Sequence, residues 1–340
     1  MGLFRSTDPL QITVFQTYGS DTHLYIKGRA LEDENIDLTK KNVIHLLINS
    51  WKRFGTDVVA NCRIKLKLPN GDFHEFETDA EGYFLLALNK TNLQSMCNEE
   101  GWLAFEVSYA DESIKRNIQL ENRFPGEMLI PSLSSDFGVI SDIDDTILHT
   151  GMMSWLKWRV LYNTFLKTPD RRIPLSGAPE FYHLLHRGAP GDKSNPIFYV
   201  SNSPWNLYLY LKFFLKNNNF PKGPILLRSL GAFFNRHKLK GPDHRPHKNH
   251  EILNILKTYP SLAFVLIGDS GEKDADIYLE IAKMYPDRIK AIYLRSVKHR
   301  KKMLRVAGLY RDYKDIPVLM VEDSDQAIQH ALKNGLIVLK

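Results

Sequence analysis

From about residue 136 onward the chain repeats one rhythm, and that rhythm restricts its fold more than any other feature. Short apolar runs in "FGVISDID", "IFYVSNS", "ILLRSL", "AFVLIGDS", "KAIYLRS" and "PVLMVED" alternate with segments of helical periodicity. Runs that are apolar at consecutive positions, rather than at every second one, suit strands buried on both faces, and helices between them make the connections of a parallel sheet. The expectation is an α/β unit. In an open parallel sheet, ligands gather at the carboxyl ends of the strands. Polar groups fall there in four of the runs, as "DIDDT", "SNS", "GDS" and "RS".

The first 130 residues read differently. "LQITVFQTYG", "THLYIKGRAL", "VVANCRIKLKL", "FHEFETD", "YFLLALN", "WLAFEVSYA" and "IKRNIQL" are short and mostly alternating, with turn-forming pieces between them. They predict strands with one face buried. Asn70-Gly71 signals a hairpin. One helical insert, Lys41 to Phe54, places Val43, Leu46, Leu47, Trp51 and Phe54 on one face. The reading is a small mostly-β sandwich over 1–130, a Pro-, Gly- and Ser-rich connection over Arg123 to Asp136, and the α/β unit over 131–340.

At 340 residues the chain is long enough for two ordinary cores. Its longest apolar runs, such as Leu262 to Ile267, are too short to cross a bilayer. The amino terminus lacks an apolar signal core and only Cys62 and Cys97 are present, so a cytoplasmic setting is expected. Charge is uneven. Lys+Arg against Asp+Glu gives 14 − 19 = −5 over 1–130 and 31 − 20 = +11 over 131–340. The basic half should attract anions. Its densest stretch, Arg295 to Arg305, reads first as a solvated helix face, with anionic substrate, lipid surface or nucleic acid as the alternatives.

Carboxylates at a buried strand end are costly unless compensated. Asp142 and Asp144 are two apart, which on an extended backbone puts both on one side, while Ile143 points the other way. Mg²⁺ would neutralise the pair, with a phosphate completing its shell. One carboxylate could then attack phosphorus while the other protonates the leaving oxygen and later activates water. Taken alone, "DIDDT" is equally a turn bearing three acids. Ser201 and Asn202 are donors suited to phosphate oxygens, or a helix cap before Pro204. Asp269 would complete a carboxylate cage. Lys248, at the start of an amphipathic helix, opposes the helix dipole unless it serves an anionic partner. The histidines His237, His244, His247 and His250 are spaced too irregularly for a zinc site.

In that order on successive strands, Asp142-x-Asp144-x-Thr146, Ser201, Lys248 and Gly268-Asp269-Ser270 through Asp274 resemble the four motifs of the haloacid dehalogenase superfamily. More narrowly, "SDIDDTI", "VSNSPWNLY", "GPILLR", "HK", "FVLIGDSGEKDADIY" and "IKAIYLRSV" resemble the actin-patch-associated phosphatidate phosphatase catalytic domain family and its bacterial relatives, over roughly residues 136–335. The resemblance implies a Rossmann-like parallel-sheet haloacid dehalogenase fold for 131–340 and a Mg²⁺-dependent phosphomonoesterase. It makes Asp142 the nucleophile and Asp144 the general acid and base. Mg²⁺ would be held by Asp142, by the Asp144 carbonyl and by Asp269. Ser201 and Lys248 would hold the transferring phosphoryl group, with Asn202 beside them. Thr146 would support the loop, and Asp274 would orient Lys248 or a metal-bound water. Lys238 competes with Lys248 for the lysine role, because "HK" occurs twice; Lys248 is preferred because it opens the helix leading into "AFVLIGDS".

For the substrate, "MMSWLKWRVLYNTFLK" (Met152 to Lys167) sets Trp155, Trp158, Tyr162 and Phe165 on one helical stripe. It reads as an insert packed on the sheet or as an interfacial surface suited to a lipid phosphate ester. The expected reaction is therefore hydrolysis of a phosphomonoester, extending to phosphatidate, with a peripheral association at an anionic membrane. The alternative is a phosphate- or anionic-lipid-binding adaptor without turnover. Nucleic acid is disfavoured, since only the basic stretch suggests it.

Overall fold

In a computed structural model of the chain, residues 8–32, 58–111, 114–143, 177–228, 247–270, 273–296 and 300–339 are described. The expected helix at 41–54, the aromatic segment 152–167, Asp144, Asp145, Thr146, His237, Lys238 and His244 lie outside them. The chain divides into two compact units, Met1–Ile130 and Pro131–Lys340.

In the first unit, alternation produces two sheets. The first joins β1 (Leu10–Phe15), β3 (His23–Glu32) and β6 (Tyr83–Asn89) in the order β1-β3-β6. The second runs β2-β8-β7-β4-β5, with β2 (Thr17–Tyr18), β4 (Arg63–Lys67), β5 (Phe73–Glu77), β7 (Trp102–Tyr109) and β8 (Phe124–Leu129). All pairings are antiparallel except β2 with β8. Leu24 and Ile26 of β3, Ile64 and Leu66 of β4, and Phe105 and Val107 of β7 share one buried cluster, so the two sheets face each other across a single core. The β4–β5 hairpin turns at Asn70-Gly71: Gly71 has φ +89°, and the Asn70 side chain accepts the Asp72 amide at 3.1 Å. Burial pushes the thiols of Cys62 and Cys97 up to about 11, and neither is in a disulfide.

Two expectations change here. The connecting segment Arg123 to Asp136 begins with strand β8, which pairs with β7 along its whole length. Pro125 is tolerated because β8 meets β2 only at Met128 and Leu129, leaving an edge at the proline. Gly126 is required because a Cβ there would stand 2.2 Å from the Phe105 ring. Conversely, "IKRNIQL" forms only a bridge from Ile118 to Leu10 before a short 3₁₀ turn, Gln119–Asn122. Its Leu120 and Glu121 sit at positive φ, which breaks the extended chain.

The second unit is the α/β one. Strands β9 (Gly138–Asp142), β10 (Ile197–Pro204), β11 (Ile225–Arg228), β12 (Phe264–Asp269), β13 (Ile289–Arg295) and β14 (Val318–Val321) form one parallel sheet in the order β11-β10-β9-β12-β13-β14. This is the order of a doubly wound sheet, reversing direction between β9 and β12. Its helices are α1 (Ala178–Arg187), α2 (Tyr208–Asn217), α3 (His247–Thr258), α4 (Asp274–Met284), α5 (Arg300–Leu309) and α6 (Ser324–Lys333). Adjacent strand residues point to opposite faces. Tyr199 of β10 stacks on Tyr182 of α1, while Phe198 meets Tyr259 just beyond α3. Phe181 of α1 and His330 of α6 both pack on Tyr293 of β13, and Tyr278 of α4 bonds the Ile267 carbonyl of β12. Helices α1 and α6 therefore cover one face, and α3 and α4 the other. Among the described residues no helix is long and apolar enough to cross a membrane.

Candidate active site

Strand β9 is buried at all five positions and lies between β10 and β12, so its last residue is delivered to the middle of the sheet's carboxyl edge. That residue is Asp142, 1% exposed. Gly138 lets β9 and β12 approach, because a Cβ there would stand 2.5 Å from the Phe264 ring. Val200 is the β10 partner of Asp142, which sets Ser201 one step beyond. Ile267 is the β12 partner of Ser141, so Gly268 and Asp269 finish β12 beside the end of β9. Register alone brings these polar residues to neighbouring strand ends.

Lys248 joins them from α3. It is 1% exposed, and its Nζ lies 2.7 Å from Asp142 Oδ1 and 2.6 Å from Asp274 Oδ1. Asp274, the first residue of α4, accepts the Asp269 amide through Oδ2 at 3.2 Å. Asp142, Lys248, Asp274 and the Asp269 backbone thus form one continuous chain of contacts. The helix-start lysine whose placement conflicts with the dipole is a buried cation between two carboxylates. Gly268 makes room for this arrangement: a Cβ there would meet Asp274 Oδ2 at 2.7 Å and the Tyr278 ring at 2.7 Å.

Ser201 is buried, and its Oγ accepts the Ser203 amide at 2.9 Å. The helix cap considered from sequence is not formed there. Strand β10 runs through Ser201 and the half-buried Asn202 to Pro204, and α2 begins only at Tyr208 after a 3₁₀ turn. Of the histidines, His247 lies 3.8 Å from Glu251 and His250 is exposed.

One pair of site residues escaped the sequence reading. Ser141 Oγ is 2.6 Å from the Tyr182 hydroxyl and 2.8 Å from the Asp142 carbonyl. Because the carbonyl can only accept, Ser141 donates to it and Tyr182 donates to Ser141. Burial holds the Tyr182 hydroxyl well above its usual pKa, so it stays protonated for this role. Ser141 was detectable as a hydroxyl inside an apolar run. Tyr182 carried no such mark, since only the packing of α1 brings it there.

Three buried carboxylates, Asp142, Asp269 and Asp274, and one buried ammonium, Lys248, carry a formal charge of −3 + 1 = −2. A desolvated cluster of that charge and hard-oxygen chemistry suits a divalent cation. Among the described residues no group of three or more His, Cys, Asp or Glu side chains is arranged to hold a metal by itself. Mg²⁺ does not require one, since it keeps several waters and takes one or two carboxylates plus phosphate oxygens. Asp142 and Asp269, buried at the ends of the adjacent strands β9 and β12, are carboxylates of that kind.

Comparison with known proteins follows the same stretch of chain. Residues 137–296 match the family described as phosphatidate phosphatase APP1, catalytic domain. The chain is 35% identical over 243 residues to phosphatidate phosphatase APP1 of Saccharomyces cerevisiae, covering 71% of this chain and 38% of that protein. It is 31% identical over 160 residues to an uncharacterized protein of Schizosaccharomyces pombe, covering 47% of this chain and 25% of that one. The chain thus spans well under half the length of either relative. A ferredoxin-NADP+ reductase structure from Plasmodium falciparum aligns with a TM-score of 0.19 at 10% identity, over 84% of this chain and 94% of that one, which carries no argument about fold or ligand.

Proposed function

From the match of residues 137–296 to the family described as phosphatidate phosphatase APP1, catalytic domain, we propose that this chain is a phosphatase of haloacid dehalogenase type that hydrolyses a phosphomonoester, phosphatidate in particular, through an aspartyl-phosphate. The observation that carries the reading is the buried Lys248 ammonium bound to Asp142 and Asp274 at the carboxyl edge of a doubly wound sheet.

Phosphoryl transfer needs positioning and charge neutralisation more than elaborate covalent chemistry. An Asp142 carboxylate oxygen attacks phosphorus as the bond to the leaving oxygen breaks. Asp144, two positions on, supplies the proton that the leaving alkoxide takes up. Asp144 then removes a proton from water, whose oxygen attacks phosphorus and releases phosphate and the Asp142 carboxylate. Lys248 draws the phosphoryl oxygens towards Asp142, and Asp274 fixes the ammonium that does so. Ser201 and Asn202 add hydrogen bonds from β10. Asp142, the Asp144 carbonyl and Asp269 would hold Mg²⁺, which when bound neutralises the carboxylates and polarises the phosphoryl oxygens.

The test is phosphate release from an aryl phosphate and from phosphatidate vesicles, with Mg²⁺ and with chelator. Activity should require Mg²⁺ and fall by about four orders of magnitude or more in Asp142→Asn, as expected when a nucleophile is lost. Undiminished turnover in that variant refutes the assignment.

A further inference from the structure

Helix α5 contains Arg300, Lys301, Lys302 and Arg305 and no acid, and it buries only Val306. A solvated helix normally mixes signs along its exposed face. Here the exposed face is cationic with an apolar centre: Leu304 is 63% exposed and lies one turn beyond Arg300 and Lys301. Side chains three and four apart share a helix face, so these three residues form one outward patch.

The root of α5 is fixed beside the candidate active site. Met303 Sδ lies 3.3 Å from Ser270 Oγ, whose hydroxyl donates to the Arg295 carbonyl at 2.6 Å, and Ser270 directly follows Asp269. Arg305 makes a bidentate pair with Asp276 at 2.8 and 3.1 Å, and Tyr310 bonds the Ala275 carbonyl at 2.7 Å. Asp276 and Ala275 are in the first turn of α4, which Asp274 opens. The helix therefore lies against the β12–α4 junction that carries Asp269 and Asp274, and it turns the exposed Arg300 and Lys301 outward at the sheet's carboxyl edge.

We propose that α5 is a docking helix for an anionic lipid bilayer. Arg300 and Lys301 engage headgroups, and Leu304 enters the headgroup boundary between them. This rests on the reading that the substrate is a lipid phosphate ester, and it identifies which surface meets the lipid. A cation-flanked apolar residue fits a bilayer better than a nucleic-acid backbone, which needs charge but offers nothing apolar to Leu304.

Flotation of the full chain with phosphatidylcholine vesicles containing phosphatidylserine, an anion that is not a phosphomonoester, tests docking apart from turnover. Each cation near such a surface changes partition by about fivefold, so Arg300→Gln with Lys301→Gln should weaken binding by about 25-fold and flatten its salt dependence. Leu304→Ser should lower partition several-fold while leaving the salt slope intact. Aryl phosphate turnover should be unchanged in both variants. Wild-type vesicle binding that both variants retain overturns the proposal, as does a wild-type chain that ignores the vesicles but binds duplex DNA. A chain that binds vesicles through these residues yet releases phosphate from no ester supports docking and refutes the catalytic reading alone.

Discussion

Replacing Lys248 by Met removes the one buried ammonium between Asp142 and Asp274 while keeping most of the side-chain volume. In the native chain the Lys248 side chain is 2% exposed, with carboxylate oxygens at 2.7 and 2.6 Å. Removing one partner of a buried ion pair costs about 3–5 kcal/mol, because the other is left charged and desolvated. Two carboxylates lose their partner here, so the upper end of that range applies. A domain is stable by only about 5–15 kcal/mol, so the variant should fold but open far more often. Because the chain has two units, a single denaturation midpoint would mix them. Hydrogen exchange read on peptides covering 138–142 and 247–258 reports this unit alone. At about 1.36 kcal/mol per decade, the upper end of that range, about 4–5 kcal/mol, should accelerate exchange there by about 10³- to 10⁴-fold in Lys248→Met. Peptides from β3 and β7 should be unaffected. Asp274→Asn should do less, since Lys248 keeps Asp142. In a double-mutant cycle the second substitution should add much less than it does alone. Exchange in Lys248→Met within about twofold of wild type would refute the idea that this lysine holds the strand ends together.

Further outcomes follow from the same contacts. Gly268→Ala places a Cβ 2.7 Å from Asp274 Oδ2 and against Tyr278, so Asp274 must move; kcat should fall by about tenfold or more with KM less affected, measured on a soluble phosphate ester. Tyr182→Phe removes the donor to Ser141 and should destabilise the α/β unit by about 1–2 kcal/mol, read by the same exchange peptides, with Tyr182→Trp far more damaging because the ring is packed between Tyr199, Phe220 and Phe181. With thiols raised from 9.0 to about 11, Cys62 and Cys97 carry about 100-fold less thiolate at neutral pH, and alkylation should be correspondingly slow until the chain is unfolded.

The parallel sheet was legible because its strands are apolar at consecutive positions, a pattern only burial on both faces explains. The strand-end acids stood out for the opposite reason, being charges where the pattern calls for burial. Strand β8 was hidden because Pro125 and Gly126 look like loop residues until an edge position and the Phe105 ring account for them. The run "IFYVSNS" was legible as β10 almost to its end, although its last residues, Ser201 to Pro204, have the composition of a helix cap as well.

Local chemistry decides which residues are apolar, where turns form and that carboxylates end two buried strands, so the α/β rhythm and Asp142, Asp269 and Lys248 could be singled out from the chain alone. Their meeting could not. It depends on a strand order that sets β9 beside β12, on a glycine that admits Asp274, and on helices from distant segments that carry Lys248 and Tyr182 to the same edge. Sequence spacing is a one-dimensional record, whereas an ion pair between residues 106 positions apart exists only once packing has removed both groups from water.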